Sequence, residues 1–296
     1  MNWLSRIPGD IPVLIAGPTA SGKSALALAL AERDRRVVIN ADALQVFANW
    51  RVLTARPAPE DEARAPHALY GHVAADATYS VGRWLRDLAP WLDGGSAPVI
   101  VGGTGLYFMA LTEGLAEVPP VSPETRRAAM SRLQEDGLSA LVDALDPPTR
   151  ARIDTQNPAR VLRAFEVLES TGRGLADWQD ATPAPLLPLE RVHPVLVDAP
   201  RPWLTPRIEA RFDQMLAGGV LDEVRANLTG WCPDHQSAKA IGAPELVAHL
   251  QGETDLATAR AAVIVATRQY AKRQRSWFRA RMGAWQHVPG PELGPD

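Results

Sequence analysis

The sequence predicts an α/β protein: a parallel sheet bearing a phosphate-binding loop, with a helical subdomain inserted into it. Three observations point there. Short apolar runs ending in glycine, Asp or Asn recur at 13–16, 37–40, 98–101 and 195–198, as buried parallel strands do. The first run leads directly into "GPTASGKS" and then "ALALALAE", which is the strand–glycine loop–helix order of a P-loop phosphate site. Between Val118 and Pro188 the apolar period becomes helical, and the stretch is bounded by Pro119-Pro120 and by "TPAPLLPLE".

The elements follow in order. The first helix starts after the glycine loop. The second strand ends at "INADALQVF", which delivers Asp42 to the same rim as the loop. The third leads into "VIVGGTGLYF", where Gly102, Gly103 and Gly105 permit close backbone approach and Thr104 offers a hydroxyl. Inside the insertion, "SPETRRAAMSRLQEDGLSALVDAL" has Ser122 as N-cap and Pro123 at the first helical position, and "PARVLRAFEVLESTG" stops at Gly172. A strand returns at 193–198, followed by helices expected over 206–228 and 256–281. The expected division is a core of 1–117 with 189–296, interrupted by 118–188.

Composition bounds the function. The 296 residues are 46% hydrophobic and 22% charged, and no apolar run reaches the length of a bilayer span. "MNWLSRIPGD" lacks a signal pattern, and Cys232, the single cysteine, forms no internal disulfide and no thiolate metal site. The expectation is a cytoplasmic protein without a membrane partner. The net charge of −3 conceals an asymmetry: the segment 256–281 holds seven basic residues and no acidic one. That points to a local contact with nucleic acid or membrane. On a helix, Arg268, Lys272, Arg275 and Arg279 fall within about 60° of one another, with Val263, Ala266, Tyr270 and Trp277 opposite. Arg273 adds to the same cationic segment.

The loop residues Gly17, Pro18, Thr19, Ala20, Ser21, Gly22, Lys23 and Ser24 match G-x-x-x-x-G-K-[ST]. Backbone N–H groups at a helix N-terminus face an anion, Lys23 neutralises terminal oxygens, and the Ser24 hydroxyl suits Mg²⁺. Only three of the 31 basic residues are lysine, and one of them sits in this loop. Asp42 has three readings by position: a Mg²⁺ partner, a general base, or the N-cap of "ALQVFANW".

The series "GPTASGKS", "INADALQVF", "LTARP", "PHALY", "VGGTGLYFMALTEGL", "NPARVLRAFEVLESTG", "ARFDQMLAGGVLDEVRAN", "KAIGAPEL" and "ATRQYAKRQRSWFR" spans residues 11–281. In that order it resembles the bacterial tRNA dimethylallyltransferases (tRNA isopentenylpyrophosphate transferases). The resemblance implies transfer of a dimethylallyl group from dimethylallyl diphosphate to the N6 amine of the adenosine 3′-adjacent to the anticodon, with release of diphosphate. A loop of the nucleotide-binding, ATP-binding kind then holds a leaving group, with Mg²⁺ and Lys23 spreading its charge. Asp42 becomes the base and Thr104 lines the channel, while Arg211 in "ARFDQM" is a further diphosphate ligand and His67 is as readily structural as functional. The implied tRNA contacts are Asp42, Ala43, Leu44, Gln45 and Thr104; Ala159, Arg160, Val161, Leu162 and Arg163; Lys239, Ala240, Ile241 and Gly242; and Arg268, Lys272, Arg273, Arg275 and Arg279.

The implied partner is the tRNA anticodon stem-loop, engaged by a monomer. The chain departs from the family pattern at Ala43 (usually serine), at "LTARP" for GTAKP, and at "IGAPE" for IGYRE, losing an aromatic and a basic group at Ala243 and Pro244. An adenylate isopentenyltransferase has no use for the basic helix. A small-molecule P-loop kinase leaves the insertion idle as well.

Overall fold

The computed structural model describes residues 3–293. The chain runs β1 (Val13–Ala16), α1 (Lys23–Asp34), β2 (Val38–Asn40), α2 (Pro59–Arg64), β3 (His67–Ala68), α3 (Val81–Leu92), β4 (Val99–Gly102) and α4 (Gly105–Glu113). Then come α5 (Pro123–Ala144), α6 (Pro147–Arg152), α7 (Pro158–Thr171) and α8 (Leu175–Asp180). The last elements are β5 (His193–Asp198), α9 (Arg201–Ala217), α10 (Val220–Asn227), α11 (Ala243–Leu250), α12 (Leu256–Arg281) and β6 (Gln286–Pro289). Two compact units result: Met1–Thr112 with Leu186–Asp296, and Glu113–Pro185.

The first unit is an α/β fold on one six-stranded parallel sheet, ordered β3-β2-β4-β1-β5-β6. Its strands are apolar throughout because both faces are covered. Leu14, Ile39, Ile100 and Leu196 point to one face, where Trp84, Leu88, Phe108 and Phe278 cover them. Val13, Ile15, Val99, Val101, Val195 and Val197 point to the other, against Leu26, Ala27, Leu30 and Ala31 of α1. A third cluster joins Trp50 and Leu53 to Phe212, Val224, Leu246 and Val263. No helix among the described residues is long and apolar enough to cross a membrane.

Two edge strands were not anticipated. β3 has only two residues and β6 carries a proline, so neither offers a readable alternation. The helix expected over 206–228 is two helices, α9 and α10. They part at Gly218-Gly219, where Gly219 adopts φ 89°, a conformation that ends α9 and starts α10.

In the second unit α5 and α7 pack around Ala129, Leu141, Leu145, Val161, Ala164 and Phe165. Ser122, Asp146 and Asn157 each cap a helix N-terminus by accepting backbone N–H groups, and Gly172 closes α7 at φ 65°. Gly137, at φ 80°, interrupts α5.

Candidate functional site

The carboxyl ends of β1, β2 and β4 carry three loops to one rim of the first unit. After β1, Ala20 and Gly22 take φ 61° and 86°, which bends the chain back so that α1 begins at Lys23. Gly17 is obligatory at the start of this bend: a Cβ there would lie 2.9 Å from Ser21 Oγ and 3.1 Å from the Val197 carbonyl. Ser21 Oγ is buried with no partner among the described residues, inside the loop that has to receive an anion.

After β2, Asn40 fixes the next loop. Its amide donates to the Asp42 and Leu69 carbonyls at 2.9 and 3.0 Å, and its oxygen accepts the Asp42 N–H at 2.8 Å. Asp42 Oδ1 accepts the Leu44 N–H at 3.0 Å, so this carboxylate does cap the following turn. Asp42 also lines the pocket, so its capping role leaves it at the site as well. After β4, the Thr104 hydroxyl accepts the Ala43 N–H at 2.9 Å, tying the second loop to the third.

The pocket between these loops encloses about 800 Å³ including its open mouth. Thr19, Lys23, Ser24, Asp42, Gln45 and Arg211 supply its polar lining; Leu53, Ile208, Phe212, Met215, Ile241 and Val263 supply an apolar one. An anion head with a short hydrocarbon tail fits such a division. A second, wider cleft shares Lys23, Ser24 and Arg211 and adds Arg56, Arg64 and Arg207.

Electrostatics agree with a waiting anion. Burial, assisted by Arg211 and opposed by Asp42, holds the half-buried Lys23 ammonium at about 8, against its ordinary 10.5. Burial lowers the Arg211 guanidinium in the same way, with Arg207 adding to it and Asp42 opposing. The hydroxyls of Tyr70, Tyr107 and Tyr270 are pushed up by burial and by the Asp42 carboxylate, so they stay protonated beside it.

For Mg²⁺, no cluster of three or more His, Cys, Asp or Glu exists among the described residues. Ser24 Oγ and the Asp42 carboxylate do line the same pocket, and hard oxygen donors are what Mg²⁺ takes when phosphates and water complete its shell. The donor set fits a substrate-borne ion and not a protein cage.

The remaining sequence expectations divide. Leu44, Gln45 and Ile241 line the pocket; Ala43 and Thr104 flank it by their hydrogen bond. Lys239 is exposed, whereas Ala240 and Gly242 are buried in the packing of the third cluster and of Leu53 and Val263. On α7, Ala159 and Arg160 are exposed and Arg163 is half-exposed near Glu166. Val161 belongs to the core of its unit and Leu162 packs against that core, so their side chains turn inward. The 3.6-residue period makes this unavoidable, because five consecutive helical residues cannot share one face.

The cationic stripe of α12 is also less uniform than expected. Lys272, Arg273 and Arg279 are exposed, whereas Arg268 lies 4.0 Å from Glu209 and the Arg275 Nε is buried. Arg260 pairs with Asp213 through both its Nε and Nη2. Acids on α9 thus offset part of the local +7, a compensation invisible in α12 itself.

Sequence reasoning missed Gln274, which reaches from α12 to both the first and third loops. It also missed Arg207, whose Nε donates to the Ala20 carbonyl at 3.0 Å while its guanidinium lies over Trp203. Glu223 went unnoticed as well: its carboxylate accepts the N–H groups of Arg51, Val52 and Leu53 at 2.6, 2.9 and 2.9 Å. All three act across more than 150 residues of chain, and no local pattern announces such contacts.

A family model described as IPP transferase matches residues 45–281. A tRNA dimethylallyltransferase of Cereibacter sphaeroides is 60% identical over 291 residues, covering 98% of this chain and 93% of its own length. Among solved structures, the full-length tRNA isopentenylpyrophosphate transferase of Bacillus halodurans is similar at TM-score 0.67 and 29% identity, over 95% of this chain and 90% of that one. A eukaryotic dimethylallyltransferase acting on tRNA shares the fold at TM-score 0.80 and 22% identity, over 94% of this chain and 73% of that one.

Proposed function

The chain belongs to the IPP transferase family, and from that membership we propose how its site transfers a prenyl group to tRNA. It is a prenyltransferase, and tRNA is its acceptor. The donor in our reading is dimethylallyl diphosphate, and the acceptor atom is N6 of the adenosine 3′-adjacent to the anticodon, offered by the anticodon stem-loop to a cytoplasmic monomer.

A single observation supports this reading above the rest. Asp42 lines the same pocket as Lys23, Ser24 and Arg211, with an apolar wall beside them. The loop, Lys23 and Arg211 hold the diphosphate; the apolar wall takes the hydrocarbon; Asp42 faces the amine. The C1–O bond of the donor breaks with its electron pair leaving on diphosphate, and the allylic carbon tolerates the positive charge by delocalisation. The N6–C1 bond forms as Asp42 takes the proton that N6 loses. The exocyclic amine is a weak nucleophile, so that acceptor matters. Lys23, Arg211 and the loop N–H groups meet the charge growing on the leaving group. Mg²⁺, held by Ser24 together with the phosphates, would supply further charge neutralisation.

Single-stranded loop bases unstack at modest cost, which lets an enzyme draw one into a pocket. Isotope-labelled dimethylallyl diphosphate, incubated with unmodified tRNA, AMP or ATP, tests the assignment. Label should enter tRNA alone. Label on AMP or ATP would identify a free-nucleotide transferase, and phosphoryl transfer without prenylation would identify a kinase.

A further inference from the structure

Gln274 sits in the body of α12 and is only 6% exposed. Its amide is satisfied at both ends: Oε1 accepts the Thr19 N–H at 2.9 Å, and Nε2 donates to the Gly103 carbonyl at 3.0 Å. Thr19 belongs to the glycine loop after β1. Gly103 belongs to the turn after β4, next to Thr104, whose hydroxyl holds Ala43. Gly103 leaves room for this amide, since a Cβ there would lie 2.2 Å from Nε2 and 3.1 Å from Asp42 Oδ2. An amide engaged through both donor and acceptor has one orientation only. A residue present for packing alone would be apolar and would strand the Gly103 carbonyl in a buried position.

We propose that Gln274 is a positioning residue for the transfer reaction, holding the diphosphate loop and the Gly103–Thr104 turn at a fixed spacing. The proposal rests on the reading of that loop as the diphosphate site. Leaving group and proton acceptor sit on separate loops, and a misplacement of about 1 Å between reacting groups costs on the order of a hundredfold in rate. Gln274 ties the glycine loop to the Gly103–Thr104 turn, and the Thr104 hydroxyl ties that turn to the loop that carries Asp42. The Thr19 N–H, being turned to Gln274, leaves the later N–H groups of the loop to face the anion. The neighbours of Gln274 on α12, Lys272 and Arg273, are exposed. The spacing is therefore set by the same helix that offers cations to RNA.

Gln274→Met keeps the length of the side chain and removes both hydrogen bonds. Gln274→Glu keeps the acceptor, loses the donor while ionised, and regains it on protonation. Affinity for inorganic diphosphate, measured by calorimetry, is the first readout and requires no transfer; kcat and the donor KM are the second. Gln274→Met should weaken diphosphate binding about tenfold and lower kcat about a hundredfold, with tRNA affinity near wild type and a lower melting temperature from the stranded Gly103 carbonyl. For Gln274→Glu, diphosphate affinity and turnover, each divided by the wild-type value at the same pH, should climb as pH falls from 8 to 5.5.

Wild-type diphosphate affinity in Gln274→Met overturns the proposal, as does a flat ratio in Gln274→Glu. Should Gln274→Met not fold, the neutral and shorter Gln274→Asn takes its place with the same two criteria. If the variants lose diphosphate affinity as described while wild-type protein transfers nothing to tRNA, the reaction assignment falls and the positioning role stands.

Discussion

Thr104 and Ala43 are joined by a hydrogen bond in which the threonine hydroxyl accepts the backbone N–H at 2.9 Å, so the β4 turn grips the residue next to Asp42, the proposed proton acceptor. Thr104→Val removes that acceptor at nearly constant volume, and Thr104→Ser retains it. Turnover should fall about tenfold or more in the valine variant and recover in the serine variant, as supporting partners of reactive groups typically behave. Equal kinetics for valine and threonine would leave the hydroxyl without a role in holding Asp42.

Asp42→Asn preserves an oxygen for the Leu44 N–H and so keeps the cap while removing the base. Turnover should drop by about 10²–10⁴-fold with the melting temperature close to wild type. A melting temperature that falls along with turnover would mean that the cap, not the base, is what the carboxylate provides.

Lys23 sets function against stability. Its folded pKa of about 8 lies below the ordinary 10.5, so between those values the unfolded chain binds more protons than the folded one. Stability then rises with pH across that window, and the full penalty of the buried ammonium is present below pH 8. Lys23→Met should melt higher than wild type at pH 7 in the absence of ligand, and the gap should close toward pH 10.5. Transfer should meanwhile fall at least about a hundredfold. In the free wild-type enzyme, kcat/KM for the donor should decline as pH rises through about 8.

Glu223→Gln leaves one acceptor oxygen for three backbone N–H groups. The loss should be about 1–3 kcal/mol in urea unfolding, with an unchanged m-value. The loop so fixed includes Leu53, which lines the pocket, so donor KM should rise too.

The basic helix predicts an ordering among its own residues. Lys272→Gln and Arg279→Gln remove exposed charges, and each should reduce the slope of log affinity for tRNA against log salt by about 0.7–0.9. Arg268→Gln, facing Glu209 at 4.0 Å, should reduce it less. Three identical slopes that all match wild type would return this face to ordinary solvated surface.

Local patterns carried the centre of the site, because its chemistry is written in contiguous residues. The glycine loop, Asp42 after β2 and the Gly102–Thr104 turn each fall within a few residues of a readable strand end. What escaped notice lacks either period or proximity. β3 is too short to alternate, β6 carries a proline, and Gly218-Gly219 divided a helix whose apolar pattern runs on. Val161 lies in the core of its unit because a helical period sends one side chain in every three or four inward. Gln274 reads as an ordinary polar helix residue until Thr19 and Gly103 are seen against it.

That bridge has a consequence in time as well as space. Ribosomes deliver the chain from its N-terminus, so Thr19 of the glycine loop is made 255 residues before the side chain that braces it. β6, which pairs with β5 at the sheet edge, comes later still. Contacts of such separation form late, after the loop-closure entropy between them has been overcome. A growing polypeptide surrounded by tRNA therefore carries the loop motif well before it carries the braced loop, and competence waits for α12 and β6.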